Sequence, residues 1–190
     1  ASIWGLLIVL FIAMVVVSQF MLTFGSDPNA KVTKKSKSPL SFHPIALIFG
    51  LLSFVSYLVE GAVGDWRALY LLEDKGIVIE EAVMGVMLFN GAMCIGRLLG
   101  NRLGKHLTSK QVVVGGYLLG SIAMGLIVFL PGHASMYTYL LLGISLAMIV
   151  PNLFSAMGEQ NVIPMTQAVA TSTMLGYMGI LMGPALIGFI

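Results

Sequence analysis

Long apolar runs without a charged residue constrain the fold of this chain more than any other feature. The first run, from Ile3 to Phe24, carries no charge over about 22 positions, which is enough for one helix to cross a bilayer. In the whole chain 58% of the residues are hydrophobic and 9% are charged, against about 25% charged residues in a typical soluble domain. Because so few charges cannot cover a soluble surface, we predict that lipid covers this one.

Short polar segments divide the chain into six such runs, which predict an all-α membrane protein with about six transmembrane helices. The runs after the first cover approximately residues 44–64, 82–99, 112–130, 136–157 and 168–190. Pro44 suits a first helical turn, where its missing N–H costs nothing. Lys75 and Gly76 indicate a helix end. Pro151 is expected to interrupt the fifth run, and Pro184 to kink the sixth.

The basic residues predict which side of the membrane each connection occupies. Residues 31–37 and 97–110 fall on the same side when the spans are counted alternately, and together they hold eight of the ten Lys and Arg residues. The positive-inside rule places them in the cytoplasm and the acidic segment 65–81 outside. We therefore expect a multi-pass membrane protein whose basic loops lie in the cytoplasm. The lysines of residues 31–37 serve either this topological role alone or lipid binding.

Glu60 is the charge that the apolar runs explain least. It lies about 24 Å along a helix that begins at Pro44, inside or at the edge of a hydrocarbon core about 30 Å thick. A carboxylate at that depth is costly unless it is protonated, paired or facing water. Arg67 returns to nearly the same helix face, but about 10 Å further along. Glu60 is therefore predicted to face a cavity, to pair with another helix or to hold a proton during part of a cycle; the alternative is an early span end in headgroup water.

A few other polar side chains lie within the runs. Tyr57 precedes Glu60 by three positions and shares its helix face. Asn90, Asn152 and Tyr177 lie on three further spans. An intramembrane Asn serves either as a contact between helices or as a ligand contact. Because the candidates are spread over several spans, we expect a shared polar cavity.

Small residues recur at helical spacing within the spans. Gly61 and Gly64 are three positions apart, as are Gly176 and Gly179. Small residues let membrane helices approach closely, because lipid supplies no hydrophobic drive between them. The glycines therefore indicate either tight packing alone or helices that slide and bend during a conformational cycle.

The chain carries no motif that predicts an enzyme. It has no phosphate-binding loop, no pair of His at metal-binding spacing and no Gly-x-Ser-x-Gly nucleophile motif. Its single cysteine, Cys94, is interpreted as a small apolar helix residue. We expect no cofactor and no metal. Nucleic acid is excluded as a partner because the basic residues lie in short membrane loops.

Three segments together resemble the major facilitator superfamily, and in particular bacterial inner-membrane members akin to the fucose-permease group. They are Glu-Gly-Ala-Val-Gly-Asp-Trp at 60–66, Gly-Arg-Leu-Leu-Gly-Asn-Arg at 96–102 and Pro-Asn-Leu-Phe-Ser at 151–155. The resemblance runs through the whole chain and implies helices six to eleven of the family's twelve. Residues 1–24 would be the last helix of the N-terminal half, 25–43 the cytoplasmic linker, and 44–190 a C-terminal bundle that lacks its last helix.

One motif within the resemblance implies a conformational role. Asn-Arg-Leu-Gly-Lys at 101–105 resembles the family's cytoplasmic Asp-Arg-x-Gly-Arg/Lys signature, which holds one half against the other. Asn101 stands where the signature has Asp, so a carboxylate is missing from its charge relay. The residues that the resemblance assigns to this motif are Gly96, Arg97, Gly100, Asn101, Arg102, Gly104 and Lys105.

The resemblance implies secondary transport of a small polar solute, such as a sugar or a related metabolite, by alternating access and with proton coupling. Glu60 would then be the proton-coupling candidate, and the cavity candidates would be Tyr57, Asn90, Asn152 and Tyr177. The expected partners are the lipid bilayer, the solute and the N-terminal half of the same transporter. The rival hypothesis is a membrane scaffold or subunit whose polar residues only join helices; a membrane enzyme ranks third. A cavity lined by Glu60, Asn90 and Asn152 would favour transport, and dry pairwise contacts would favour the scaffold.

Overall fold

The computed structural model describes Ile12, Met14–Val16, Gln19, residues 43–103 and residues 107–189, with the backbone alone for 101–103. The last two ranges form five helices: α1 (Pro44–Glu73), α2 (Ile79–Leu103), α3 (Ser109–Phe129), α4 (Gly132–Glu159) and α5 (Met165–Gly188). The described positions between Ile12 and Gln19 are also helical. Most of the first predicted span and, apart from His43, the predicted linker of residues 25–43 lie outside the described residues.

All five helices are long and apolar enough to cross a membrane. The part of the chain that the structure describes contains no strand. The prediction of an all-α membrane fold is therefore confirmed, and five of its predicted spans are the five described helices.

The ends of α1 follow local sequence signals. Pro44 occupies the first turn, and the His43 side chain caps the helix by accepting a hydrogen bond from the amide of Ile45 at 3.3 Å. The helix ends before Gly76, whose φ of 65° is left-handed and favours glycine. The predicted stop near Lys75 is thus confirmed. The helix extends nine residues beyond the apolar run of approximately 44–64, through a segment that contains charged residues.

Two prolines lie inside helices without ending them. Pro151 is within α4 and Pro184 within α5. The prediction that Pro151 interrupts its span is wrong, since α4 is continuous from Gly132 to Glu159. A proline removes only one backbone donor, and neighbouring groups in a membrane bundle tolerate the loss.

Close helix contacts at glycines assemble the bundle. Helix α1 packs along α5, and α4 packs against both α2 and α3. A Cβ added to Gly143 of α4 would lie 2.6 Å from the carbonyl oxygen of Phe89 on α2. One added to Gly116 of α3 would lie 2.7 Å from the Ile149 side chain on α4. The glycines thus set the helix separations, as expected for packing in lipid.

Buried hydroxyl groups join α1 to two other helices. Ser53 and Ser172 lie 2.6 Å apart, Oγ to Oγ, between α1 and α5. Between α1 and α3, the Tyr117 hydroxyl donates to the Leu52 carbonyl at 2.7 Å and lies 2.6 Å from Ser56 Oγ. These contacts are direct, and they lie nearer the start of α1 than the cavity residues do.

Candidate functional site

A cavity of about 620 Å³ lies between α1, α2 and α5. Each helix contributes residues at helical spacing, so that each presents one face to the cavity. The lining residues are Glu60, Gly61, Gly64, Asp65 and Arg67 of α1; Phe89, Asn90, Met93, Cys94, Arg97 and Leu98 of α2; and Ile180 and Pro184 of α5.

An ion pair between two helices crosses this cavity. Arg97 Nη2 of α2 lies 3.9 Å from Glu60 Oε1 of α1. The Glu60 side chain is 23% accessible and the Arg97 side chain 63%. Of the three environments that the sequence allows for Glu60, the structure shows two: it faces a cavity and it pairs with a residue of another helix. The separation is near the upper limit for a salt bridge, so the pair can part without breaking a close contact.

Arg67 is the second guanidinium of the cavity and lies in a different environment. The residue is only 6% accessible. Its Nη1 donates to the Val63 carbonyl of its own helix at 3.4 Å, and its Cζ lies 4.8 Å from the centre of the Phe89 ring. Nε has no hydrogen-bond partner among the described residues. No carboxylate of the described part of the chain lies within salt-bridge distance of Arg67.

Small residues open the cavity on the α1 side. A Cβ added to Gly64 would meet nothing within 4 Å. A Cβ added to Gly61 would lie 2.6 Å from the Ile180 carbonyl oxygen, so Gly61 brings α5 close. The Trp66 indole N–H donates to the Pro184 carbonyl at 3.0 Å and fixes the same wall. Gly61 thus sets the approach of α5, whereas Gly64 leaves open space beside the charged side chains.

The predicted cavity candidates divide into two groups. Asn90 lines the cavity with Glu60. Tyr57 and Tyr177 stack on each other, with ring centres 6.3 Å apart and planes at 14°, across the seam between α1 and α5. Asn152 is buried, and its Nδ2 donates to the Met148 carbonyl at 2.8 Å within α4. Glu60 and Asn90 thus line the cavity together, Tyr57 and Tyr177 stack beside it without lining it, and Asn152 bonds within α4.

The predicted cytoplasmic motif is described only in part. Gly96 and Gly100 face α4: a Cβ added to Gly96 would lie 2.8 Å from Ala147 Cβ, and one on Gly100 would lie 3.8 Å from Met148 Cγ. Arg97 faces the cavity, as described above. Asn101 and Arg102 continue α2, but their side chains lie outside the described residues, as do Gly104 and Lys105 altogether.

Arg97 is a cavity residue that the sequence interpretation does not identify as one. The resemblance assigns it to the cytoplasmic motif instead. The signal that places it in the cavity is its spacing: Arg97 lies seven positions after Asn90, so the two share a helix face. Cys94, between them at the fourth position, also lines the cavity and is exposed rather than packed in the core.

The chemistry available in the cavity is that of binding and proton exchange. Two carboxyl groups, two guanidinium groups and an amide line it, and together they can donate hydrogen bonds to a polar molecule and accept them from it. The described residues contain no group of three or more potential metal ligands.

Three relatives of the chain are named as transporters or as a membrane protein. An uncharacterized MFS-type transporter of Yersinia pestis is 41% identical over 147 residues, which are 76% of this chain and 38% of the relative. The chain belongs to the major facilitator superfamily. The chain is also similar to the membrane protein MosC of Rhizobium meliloti, to which it is 30% identical over 143 residues. An uncharacterized transporter of Sinorhizobium fredii is 29% identical over 147 residues.

Each of the last two matches covers 75% of the chain. The chain spans between 35% and 38% of the length of each of these three relatives. No protein-family model matches it, and no solved structure does.

Proposed function

We propose that the chain is part of a secondary active transporter that moves a small polar solute across the bacterial inner membrane by alternating access, with proton coupling. The solute class is a sugar or a related metabolite. The observation that carries the proposal is the cavity of about 620 Å³ that holds Glu60, Asn90 and Arg97 between membrane-spanning helices. Its volume lies within the range of about 300–1,000 Å³ that is usual for small-molecule sites. The relatives named as transporters support the same function.

The cavity also weighs against a membrane scaffold. In a scaffold, polar side chains within the spans would serve direct contacts between helices. Ser53 with Ser172 and Tyr117 with Ser56 have such contacts, and Asn152 bonds within its own helix. Glu60 and Asn90 instead line a cavity large enough for a solute. Placing an ionisable residue there costs free energy, which a binding or coupling role explains.

The Glu60–Arg97 pair supports the coupling step. When Glu60 is ionised, its carboxylate attracts the Arg97 guanidinium across the 3.9 Å gap. When Glu60 takes up a proton, that attraction is lost and Arg97 can turn towards a solute. Proton uptake at Glu60 would therefore change the charges that a solute meets in the cavity.

The organisation of the whole transporter follows from the resemblance and from the charge distribution. Helices α1 to α5 would be helices seven to eleven of the family's twelve, completed by an N-terminal half. The connection around Lys105 would lie in the cytoplasm, and Glu73 and His133 outside. Cysteine-accessibility labelling of the full-length protein tests this orientation. Labelling of cysteines at positions 73 and 105 from the same side would exclude it.

The test of the function is Glu60→Gln in the full-length transporter. The change keeps the shape of the side chain but removes its proton exchange. We expect insertion and melting temperature to stay unchanged while proton-driven accumulation of a solute in proteoliposomes is lost. Glu73→Gln is the matched control, because Glu73 is an exposed carboxylate at the end of α1 outside the cavity. Accumulation at the wild-type level and with wild-type pH dependence in Glu60→Gln would show that Glu60 does not couple transport to protons.

A further inference from the structure

The two carboxylates and two guanidinium groups that line the cavity are not equally paired. Glu60 faces Arg97 at 3.9 Å, so one anion and one cation form a pair. Asp65 lies two positions before Arg67 on α1, and residues at that spacing point to different sides of a helix. Asp65 is exposed, whereas Arg67 is 94% buried. Among the described residues, Arg67 is therefore a buried cation with no carboxylate within salt-bridge distance.

A buried cation in this state requires a counter-charge. Taking a charged group out of water is costly unless it is paired and hydrogen-bonded. The single bond from Arg67 Nη1 to the Val63 carbonyl is long, at 3.4 Å, and Nε has no partner among the described residues. The Phe89 ring, whose centre lies 4.8 Å from the guanidinium carbon, makes a cation–π contact that offsets only part of this cost.

We propose that the cavity recognises a solute that carries a carboxylate, and that Arg67 binds this carboxylate. The proposal deepens the transport function and rests on it. The guanidinium edge presents donors in a planar fork that matches the two oxygens of a carboxylate. Asn90, which lines the same cavity, can donate to and accept from hydroxyl groups on the rest of the molecule. A small hydroxylated acid meets both requirements.

The experiment uses Cys94 as a reporter, because it is exposed in the cavity. In the full-length transporter, with any cysteine outside this chain replaced by serine, the rate of Cys94 alkylation by N-ethylmaleimide is measured against ligand concentration. The ligands are lactate, gluconate and galacturonate, each beside its neutral amide at the same ionic strength. We expect at least one carboxylate to protect Cys94 and its amide to fail.

The Arg67 variants then assign the effect. Arg67→Gln should raise the half-protecting concentration of the carboxylate about ten- to a hundred-fold, as expected for the loss of a charged hydrogen bond. Arg67→Lys keeps the charge without the fork and should lie between the two. Lys110→Gln, which removes a cation of α3 outside the cavity, should leave protection unchanged. If Arg67→Gln does not fold, the Lys variant and the amides still decide the question.

Three outcomes would overturn the proposal: no carboxylate protects Cys94, the amides protect equally well, or Arg67→Gln leaves protection unchanged. The last outcome would mean that a carboxylate elsewhere in the full-length protein neutralises Arg67.

Uptake of the same compounds into proteoliposomes separates this proposal from the transport function. Saturable uptake of a neutral compound without carboxylate protection would leave transport standing and remove the carboxylate site. Arg67-dependent protection without uptake of any compound would keep the site and count against transport.

Discussion

Helix α1 has two faces that differ in how they meet their neighbours. Towards α5 it forms a closed seam, in which a Cβ added to Gly179 or Gly183 would overlap the carbonyl group of Phe54 or Leu58. Towards α2 it borders the cavity, where a Cβ added to Gly64 would meet nothing within 4 Å. The same residue type therefore closes one face and opens the other. Glycine in a membrane helix allows close packing where atoms of a neighbouring helix fill the space, as at the seam.

The two faces also treat polar groups differently. At the seam, Ser172 Oγ donates to the Phe49 carbonyl at 3.0 Å and contacts Ser53, so its polar groups are satisfied by direct bonds. At the cavity, Glu60 and Arg97 are 3.9 Å apart and Arg67 Nε has no partner among the described residues. Direct bonds stabilise a fixed arrangement, whereas incompletely paired charges leave donors and acceptors for a ligand. The seam is thus suited to stability and the cavity to binding.

The largest expected effect comes from adding one methyl group to the seam. The Cβ of Gly179→Ala would lie 3.1 Å from the Phe54 carbonyl carbon and closer still to its oxygen. Because backbone cannot move aside as a side chain can, we expect a loss of about 1–3 kcal/mol of stability. The measurement is the melting of the purified full-length protein. Gly64→Ala is the matched control, since it gains the same helix propensity of up to about 1 kcal/mol in open space.

The outcomes of this pair decide whether the faces differ as described. Gly64→Ala should melt at or above the wild-type temperature and Gly179→Ala clearly below it. Equal melting temperatures for the two variants would mean that α1 and α5 separate easily, and the seam would then be part of the moving interface.

A larger side chain at Gly64 tests the open face. Gly64→Leu places an isobutyl group into the cavity beside Glu60, where it takes up space that a solute would need. We expect solute uptake into proteoliposomes to fall at least tenfold, which corresponds to about 1.4 kcal/mol, while the melting temperature stays within a few degrees of the wild type. The series Gly64→Ala, Val and Leu should lower uptake in order of side-chain volume. Uptake that does not depend on this volume would place the solute path elsewhere.

The sequence predicts the helices of this chain better than it predicts the site. Apolar runs located all five described spans because helix length and hydropathy are local properties. Arg97, the cavity partner of Glu60, is not identified from the sequence, because the resemblance assigns it to the cytoplasmic motif and the pairing depends on how two helices pack. Asn152 was expected in the cavity, but an amide can also bond to its own backbone, and hydropathy does not distinguish the two. Tertiary contacts at residues such as Gly143 and Gly179 determine which helices pack together, and the pattern of apolar runs does not reveal these contacts.

The smallest expected effect concerns a polar contact away from the cavity. Tyr117→Phe removes a hydroxyl that donates to the Leu52 carbonyl at 2.7 Å and contacts Ser56 Oγ. Ser56 Oγ also donates to the Leu52 carbonyl, at 3.1 Å, so that carbonyl keeps a partner in the variant. Interhelical hydrogen bonds in membrane proteins contribute about 0.6 kcal/mol on average, and we expect a loss of that size.

The change should leave solute uptake unaltered, because Tyr117 does not line the cavity. A double-mutant cycle with Ser56→Ala measures the contact itself. Since the two hydroxyls share one acceptor, the double variant should lose less stability than the sum of the single variants. Additive losses would show that the two groups act independently. A fall in uptake without a change in stability would extend the functional region from the cavity across α1 to α3, and the difference between the two faces would then be smaller than the packing indicates.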